Sequence, residues 1–124
     1  MSRQPSSIAG IILAAGMSTR FGGNKLLADY QGRPILRWVA EAALASQLTQ
    51  IVVVLGHQAV AVGDALAGLP IDTVVNQDYQ QGQSTSVIAG LKAVQTNYSA
   101  AMYLMGDQPL IETAIIDELI TAYV

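Results

Sequence analysis

Residues 8–25 of this 124-residue chain read IAGIILAAGMSTRFGGNK, an apolar run that passes abruptly into small, polar and basic residues. The branched residues at 8–13 are typical of a strand that is buried on both faces of a parallel sheet. Gly16 then begins a loop that contains Arg20, a glycine pair and Lys25. Small side chains let backbone N–H groups approach an anion closely, and the two cations can neutralise its charge. The segment therefore predicts a loop that holds the phosphates of a nucleotide at the end of a buried strand.

The composition is that of a folded and unusually apolar domain. Hydrophobic residues make up 52% of the chain and charged residues 12%, about half the usual share of roughly 25%. No apolar stretch reaches the ~18 residues that a membrane span needs, and the net charge of −3 argues against nucleic acid. We therefore expect no membrane or nucleic-acid partner. The first residues do not resemble a signal peptide, and the absence of cysteine excludes disulfides. These features predict a cytoplasmic protein.

The rest of the chain alternates between strand and helix patterns. Continuously apolar runs predict strands at residues 8–14, 51–55, 71–75 and 100–105. Helical spacing predicts four helices. The first opens at residues 32–34, the second runs from 57 to about 66, the third spans 84–94, and the fourth begins near 112. In the third helix we expect Val87, Ile88, Leu91 and Val94 to face the core. Repeated β-α units with unbroken apolar strands imply an α/β fold, with a mainly parallel sheet covered by helices on both faces.

The predicted sheet has an exposed edge. The last helical pattern runs up to Val124, and a four-stranded sheet leaves an unpaired edge that proteins normally blunt or cover. We interpret residues 1–124 as a single nucleotide-binding unit. It is either incomplete at its C-terminus or covered at that edge by a homo-oligomer contact or another partner.

The spacing of the glycine loop excludes two common nucleotide-binding motifs. The pattern G-x-x-x-x-G-K-[ST] fails because Leu26 follows Lys25, and G-x-G-x-x-G is absent. The structural alternative is a strand-to-helix turn that needs glycines and leaves Arg20 and Lys25 as solvated charges.

Three ordered motifs resemble those of the MobA-like nucleotidyltransferases. L-A-A-G-x-S-x-R-x-G-x-x-K spans residues 13–25, G-x-S-x-S-V-x-x-G-L spans 82–91, and G-D-Q-P spans 106–109. Within that group, the sequence Ala-Ala-Gly at 14–16, followed by Ser18 and by Arg-Phe-Gly at 20–22, resembles the molybdenum cofactor cytidylyltransferases. The guanylyltransferase branch typically has a second glycine where this chain has Ala15. The match covers nearly the whole chain but only the front part of a typical member. It implies a Rossmann-like three-layer α/β/α fold of the nucleotide-diphospho-sugar transferase type.

The resemblance also implies a nucleotide site. Arg20 would clamp the β- and γ-phosphates, Lys25 would lie near the α-phosphate, and Asp107 would hold Mg²⁺; these are the candidate catalytic residues. Asn76, after the third strand, could read the base or only make a turn. The candidate nucleotide-binding residues are Leu13, Ala14, Ala15, Gly16, Arg20, Lys25, Asn76, Gly82, Ser84, Ser86 and Gly106.

Several of these side chains also have a purely structural interpretation. Asp107 can make an Asx turn before Pro109, and Ser84 and Ser86 can cap the helix beside them. A carboxylate at the carboxyl end of an apolar strand is nevertheless well placed to hold Mg²⁺ against triphosphate oxygens. One Asp is too few for a complete site, so phosphates, water or another carboxylate must complete it. His57, a lone histidine after the second strand, is assigned no chemistry.

The reaction implied by the resemblance is the transfer of CMP from CTP to a phosphorylated acceptor, with release of pyrophosphate. Molybdopterin, or the molybdenum cofactor, is the implied acceptor. A guanylyltransferase, or a sugar- or polyol-phosphate nucleotidyltransferase, is the alternative enzyme. A nucleotide-binding module without catalysis is the alternative of another class. Whether these 124 residues are active by themselves is left open by the sequence.

Overall fold

The computed structural model describes residues 7–16, 25–94 and 98–123, apart from the side chain of Tyr123. The strands are β1 (Ile8–Ala14), β2 (Asp29–Tyr30), β3 (Arg33–Pro34), β4 (Gln50–Leu55), β5 (Asp72–Val75) and β6 (Ala100–Met105). The helices are α1 (Ile35–Ala45), α2 (Ala59–Asp64), α3 (Gln83–Ala93) and α4 (Thr113–Tyr123). Short 3₁₀ turns at Lys25–Leu27 and Tyr79–Gln81 precede β2 and α3. Among the described residues, no helix is long and apolar enough to cross a bilayer.

The main sheet is parallel and has the strand order β5-β4-β1-β6. All seven residues of β1 are buried, as expected for a strand that is apolar on both faces. Ile8 and Ile12 pack with α1, α2 and α4 on one face, and Ile11 and Leu13 pack with α3 on the other. The predicted three-layer α/β/α fold is therefore confirmed.

The strand order places a crevice at the carboxyl end of β1. From β1 the chain winds outward through β4 to β5, and then returns to the opposite side of β1 to form β6. In open α/β sheets, ligands bind where the winding direction reverses, which here lies between β1 and β6. The segments that follow these two strands carry the first and third sequence motifs.

Residues 29–34 form a hairpin where the sequence predicted the opening of a helix. Gln31 and Gly32 have φ of 52° and 91°, and two positive φ values are what a type I′ turn requires. The turn pairs β2 with β3, so that α1 begins at Ile35, after Pro34 rather than around it. A two-residue ladder is too short to show a period in the sequence, which is why the prediction was wrong. The other boundaries agree with their predictions to within two residues.

Helix α3 packs very close to the sheet at Gly90. A Cβ atom at this position would lie 2.5 Å from Cγ2 of Ile11 and 3.0 Å from Cγ2 of Val54. The buried residues of the helix are accordingly small, namely Ser86 and Gly90. Close packing at this point brings the N-terminal turn of α3 to the crevice.

Because α3 packs so close to the sheet, the side chains that it buries differ from those predicted from the sequence. Val87 and Val94 are partly buried against the core, as expected, but Ile88 and Leu91 are 52% and 56% exposed. The apolar spacing pointed to the larger side chains, whereas the short distance to the sheet admits only small ones. The prediction was therefore wrong for Ile88 and Leu91.

Strand β6 is an edge of the described sheet and carries exposed apolar side chains. Tyr103 and Met105 are each more than a third exposed. Both lie on the α3 face of the sheet, where the Tyr103 hydroxyl donates to the carbonyl of Val87 at 3.2 Å. The predicted unpaired edge is present among the described residues, and its cover by a second copy or another partner stays a prediction.

Candidate functional site

A cleft of about 240 Å³ opens at the carboxyl ends of β1 and β6, where the winding direction reverses. The segment after β1, the first turn of α3 and the segment after β6 form its walls. The predicted site residues that line it are Leu13, Ala14, Ala15, Gly16, Lys25, Ser86 and Asp107. Three motifs that are distant in the sequence thus contribute to one concave surface.

The segment after β1 is held from both neighbouring strands. The backbone N–H of His57, just past β4, donates to the carbonyl of Ala15 at 3.0 Å. The N–H of Gly106, just past β6, donates to the carbonyl of Leu13 at 3.0 Å. Ala14 and Ala15 are themselves buried. A ligand therefore meets a preformed wall, in which Gly16 is the exposed residue and has no side chain to keep an anion away from its backbone.

Gly106 does not line the cleft but determines how β6 ends beside it. A Cβ atom at this position would lie 3.0 Å from the carbonyl oxygen of Leu13 and 3.0 Å from Cδ1 of Leu36. Such contacts are too tight for most side chains, so glycine allows the chain to turn here. The turn places the next residue, Asp107, in the cleft wall.

Lys25 and Asp107 are the charged pair of the cleft. Nζ of Lys25 lies 4.0 Å from Oδ2 of Asp107, and the side chains are 38% and 42% exposed. An ion pair this long and this accessible contributes little to stability. Both groups consequently remain available to a ligand, the ammonium for a phosphate and the carboxylate for a cation bound to that phosphate.

The described residues suit a divalent cation that is shared with a ligand. Among them, no group of three or more His, Cys, Asp or Glu side chains could hold a metal ion. Mg²⁺, however, usually keeps several waters and binds through one or two carboxylates together with substrate phosphates. The accessible carboxylate of Asp107, beside a predicted phosphate loop, fits that kind of ligand set.

Ser86 reaches the cleft from α3, and Asn76 lies behind it. Nδ2 of Asn76 donates to Oγ of Ser86 at 2.9 Å and to Oγ1 of Thr85 at 2.8 Å. Oδ1 of Asn76 accepts from the backbone N–H of Asp78 at 3.0 Å. Asn76 is only 5% exposed and does not line the cleft. The structure therefore places it against Ser86 and not where it could contact a base directly.

Two other predicted residues, Gly82 and Ser84, do not line the described part of the cleft. Gly82 precedes α3 with φ of 118°, and its carbonyl accepts from the Thr85 hydroxyl at 2.7 Å. Ser84 is exposed in the first turn of α3 and does not line the cleft. Arg20 lies outside the residues that the structure describes, so its contact with the phosphates stays a prediction.

Among the described residues, four more line the cleft that were not predicted from the sequence, namely Leu26, Tyr79, Gln83 and Met105. Nε2 of Gln83 donates to Sδ of Met105 at 3.6 Å, which links α3 to β6 across the cleft. The Tyr79 ring lies 6.0 Å from the His57 ring, measured between centroids. Gln83 lies within the second motif and Met105 directly precedes the third, so motif proximity was the signal available for both. Tyr79 belongs to no motif.

Comparison with known proteins identifies the family. Residues 10–124 match the family described as the MobA-like NTP transferase domain. The chain belongs to this family. By its description, this is a family of NTP transferase domains.

The MobA-like domain resembles several longer proteins. It is 34% identical over 98% of its length to the bifunctional protein GlmU of Anaeromyxobacter sp. strain K, of which it covers 26%. It is 33% identical over 94% of its length to nicotine blue oxidoreductase of Paenarthrobacter nicotinovorans, of which it covers 57%. The crystal structure of Rv0371c from Mycobacterium tuberculosis H37Rv superposes with a TM-score of 0.86 and 29% identity, over 97% of this chain and 61% of that one. Rv0371c has also been solved in complex with manganese.

The domain therefore spans less than two thirds of each of these relatives. Their names differ, one being a bifunctional protein and another an oxidoreductase. Family membership establishes the nucleotidyltransferase class of the domain, whereas the reaction, substrates and partners of the whole protein are matters of proposal.

Proposed function

We propose that this MobA-like domain binds CTP and takes part in the transfer of CMP to a phosphorylated acceptor, molybdopterin or the molybdenum cofactor. The observation that carries the proposal is the cleft in which a small-residue wall meets an ammonium and a carboxylate 4.0 Å apart. The Ala14–Ala15–Gly16 start of the first motif supports CTP as the donor. The proposed compartment is the cytoplasm.

The proposed reaction requires positioning and charge neutralisation, without a covalent enzyme intermediate. A phosphate oxygen of the acceptor attacks the α-phosphorus of the triphosphate in line. A new P–O bond forms as the bond between the α-phosphorus and the bridging oxygen breaks, and pyrophosphate leaves. The attacking oxygen is already anionic, so no strong general base is needed, and catalysis rests on orientation and electrostatics.

Each charged residue has a separate proposed role. Lys25 neutralises charge that develops on the α-phosphate, and the backbone at residues 13–16 contacts the nucleotide. Arg20 is proposed to clamp the β- and γ-phosphates. Asp107 would hold Mg²⁺, which when bound supplies further charge neutralisation on the phosphate oxygens. The manganese complex of Rv0371c supports a divalent metal for a relative of this domain.

Two alternatives follow from the diversity of the relatives. A guanylyltransferase, or a sugar- or polyol-phosphate nucleotidyltransferase, would use the same phosphate and cation groups with another base or acceptor. A nucleotide-binding module without catalysis would use them for binding alone. The alternatives differ in the preferred triphosphate and in the release of pyrophosphate.

Thermal unfolding with CTP, GTP or ATP, each with Mg²⁺, tests the nucleotide. We expect CTP to raise Tm most, because a ligand that binds only the folded state adds about 2.7 kcal/mol at roughly 100 times its Kd. Equal shifts with all three nucleotides contradict CTP preference, and no shift with any of them contradicts a nucleotide site. Pyrophosphate release by the native protein, with CTP and a molybdopterin acceptor, then distinguishes the transferase from the binding module.

A further inference from the structure

We infer that Asn76 is a positioning residue that holds the Ser86 hydroxyl as a hydrogen-bond donor toward the nucleotide. The inference rests on the proposed function, since it takes the ligand of the cleft to be a nucleotide. It replaces the expected contact between Asn76 and the base by an effect that acts through Ser86.

The orientation of the Asn76 amide is determined by the backbone around it. The N–H of Asp78 lies 3.0 Å from Oδ1, and a backbone N–H can only donate, so the atom that faces it must be the amide oxygen. The backbone N–H of Asn76 donates to the carbonyl of Leu55 at 2.7 Å, which ties the residue to the end of β4. The NH₂ group of Asn76 therefore faces α3.

Both hydrogens of this NH₂ group are used on α3. One is donated to Oγ1 of Thr85 and the other to Oγ of Ser86. The Thr85 hydroxyl has its own acceptors, the carbonyls of Gly82 at 2.7 Å and Asp78 at 3.0 Å. The Ser86 oxygen accepts from Asn76, so its single proton has to point to another partner.

The cleft is the place left for that proton. Ser86 is 4% exposed and lines the cleft, and no hydrogen bond donated by its hydroxyl is found in the described ranges 7–16, 25–94 and 98–123. A buried polar group without a partner is costly, so a ligand atom that accepts the proton gains affinity. A carbonyl oxygen or an unprotonated ring nitrogen of a base would accept this proton.

Asn76→Asp tests the inference because it keeps the shape of the side chain and replaces the NH₂ donor with a carboxylate oxygen. That oxygen accepts the Ser86 proton and turns the lone pairs of the hydroxyl toward the cleft. We expect the Kd for CTP with Mg²⁺, measured by calorimetry, to rise roughly 5- to 150-fold, the range for a lost hydrogen bond to a buried group. If the Asn76→Asp protein does not fold, Asn76→Ala, which adds no buried charge, is measured by the same assay.

A double-mutant cycle with Ser86→Ala separates positioning from general damage. In the Ser86→Ala background, the substitution of Asn76 should change the Kd by no more than about twofold, because the group that it orients is gone. Thr85→Val is the matched control, since it removes the other acceptor of the same NH₂ group without removing a group that lines the cleft. We expect it to lower Tm while leaving the Kd within about twofold of the wild type.

Each other outcome has a defined meaning. An unchanged Kd for the Asn76 variants, or the same rise in both backgrounds, overturns the inference. A Thr85→Val variant that weakens CTP binding as much as Ser86→Ala overturns it as well. In both cases wild-type binding of CTP leaves the proposed function standing. A wild-type protein that binds no nucleoside triphosphate overturns the proposed function, and the inference with it.

Discussion

Lys25 and Asp107 come from distant parts of the sequence and meet across the cleft with Nζ and Oδ2 4.0 Å apart. Each side chain is more than a third exposed, so solvent screens their attraction and the pair adds little to folding stability. At the scale of single residues we therefore expect substitutions at these two positions to change activity with little change in Tm.

Lys25→Ala should lower kcat for nucleotidyl transfer by about 10²- to 10³-fold, because it removes a positive charge where charge develops in the transition state. Lys92→Ala is the matched control, since Lys92 is an exposed lysine in the last turn of α3 and does not line the cleft. Steady-state pyrophosphate release by the native protein measures both variants. If Lys25→Ala turned over as fast as Lys92→Ala, the role proposed for Lys25 would be wrong.

Asp107→Asn should raise the Mg²⁺ concentration needed for half-maximal stabilisation by CTP about 10-fold or more, because it removes the carboxylate proposed as a metal ligand. Asp64→Asn is the control, since Asp64 is an exposed carboxylate at the end of α2. A titration of Tm against Mg²⁺ at fixed CTP gives the midpoint. Equal midpoints for the two variants would rule out metal binding by Asp107.

At the scale of elements, the position of α3 controls the site, because Ser86 and the first turn of this helix form one wall of the cleft. Its distance from the sheet is set at Gly90, where a Cβ atom would approach Ile11 to 2.5 Å. The small buried residues of α3 therefore determine the position of this wall of the cleft as well as the packing of the helix.

Gly90→Ala should lower the free energy of unfolding by about 1–3 kcal/mol, because the added methyl group forces α3 away from β1 and β4. Gly63→Ala in α2 is the control, since a Cβ there meets only Cδ1 of Leu55 at 3.5 Å. We expect this control to be neutral or to stabilise the protein by roughly 0.5–1 kcal/mol. Urea denaturation measures both, and a Gly90→Ala protein as stable as the wild type would contradict the close packing.

The predicted and observed elements also show which parts of the fold a sequence pattern can predict. The bounds of β1 and β6 agree with their predicted ranges, because both strands are continuous apolar runs. The β2–β3 hairpin was missed, since two residues show no period. Ile88 and Leu91 have helical spacing but are exposed, because a helix face is buried only where its neighbour leaves room.

At the scale of the whole molecule, β1 pairs with a strand on each side and is buried on both faces, whereas β5 and β6 are the edges of the described sheet. Amides of β1 and β4 should therefore show the slowest hydrogen exchange, because they open only on global unfolding. Amides of β6 should exchange faster, since one side of this strand has no neighbour in the described sheet. Mass spectrometry of peptides across the sheet measures the difference. If β6 were as protected as β1, a second copy or another partner would be covering that edge.

The buried first strand, the parallel sheet and the charged candidates of the cleft could all be predicted from the amino-acid sequence. Apolar continuity and motif spacing are local properties, and they can be read along the chain. Three features depend instead on how the layers pack: Lys25 lies opposite Asp107, Gly90 sets the distance of α3 from the sheet, and Asn76 contacts Ser86. Whether a polar side chain faces a ligand or another side chain depends on distances between elements that are far apart in the sequence. Those distances exist only once the layers have packed.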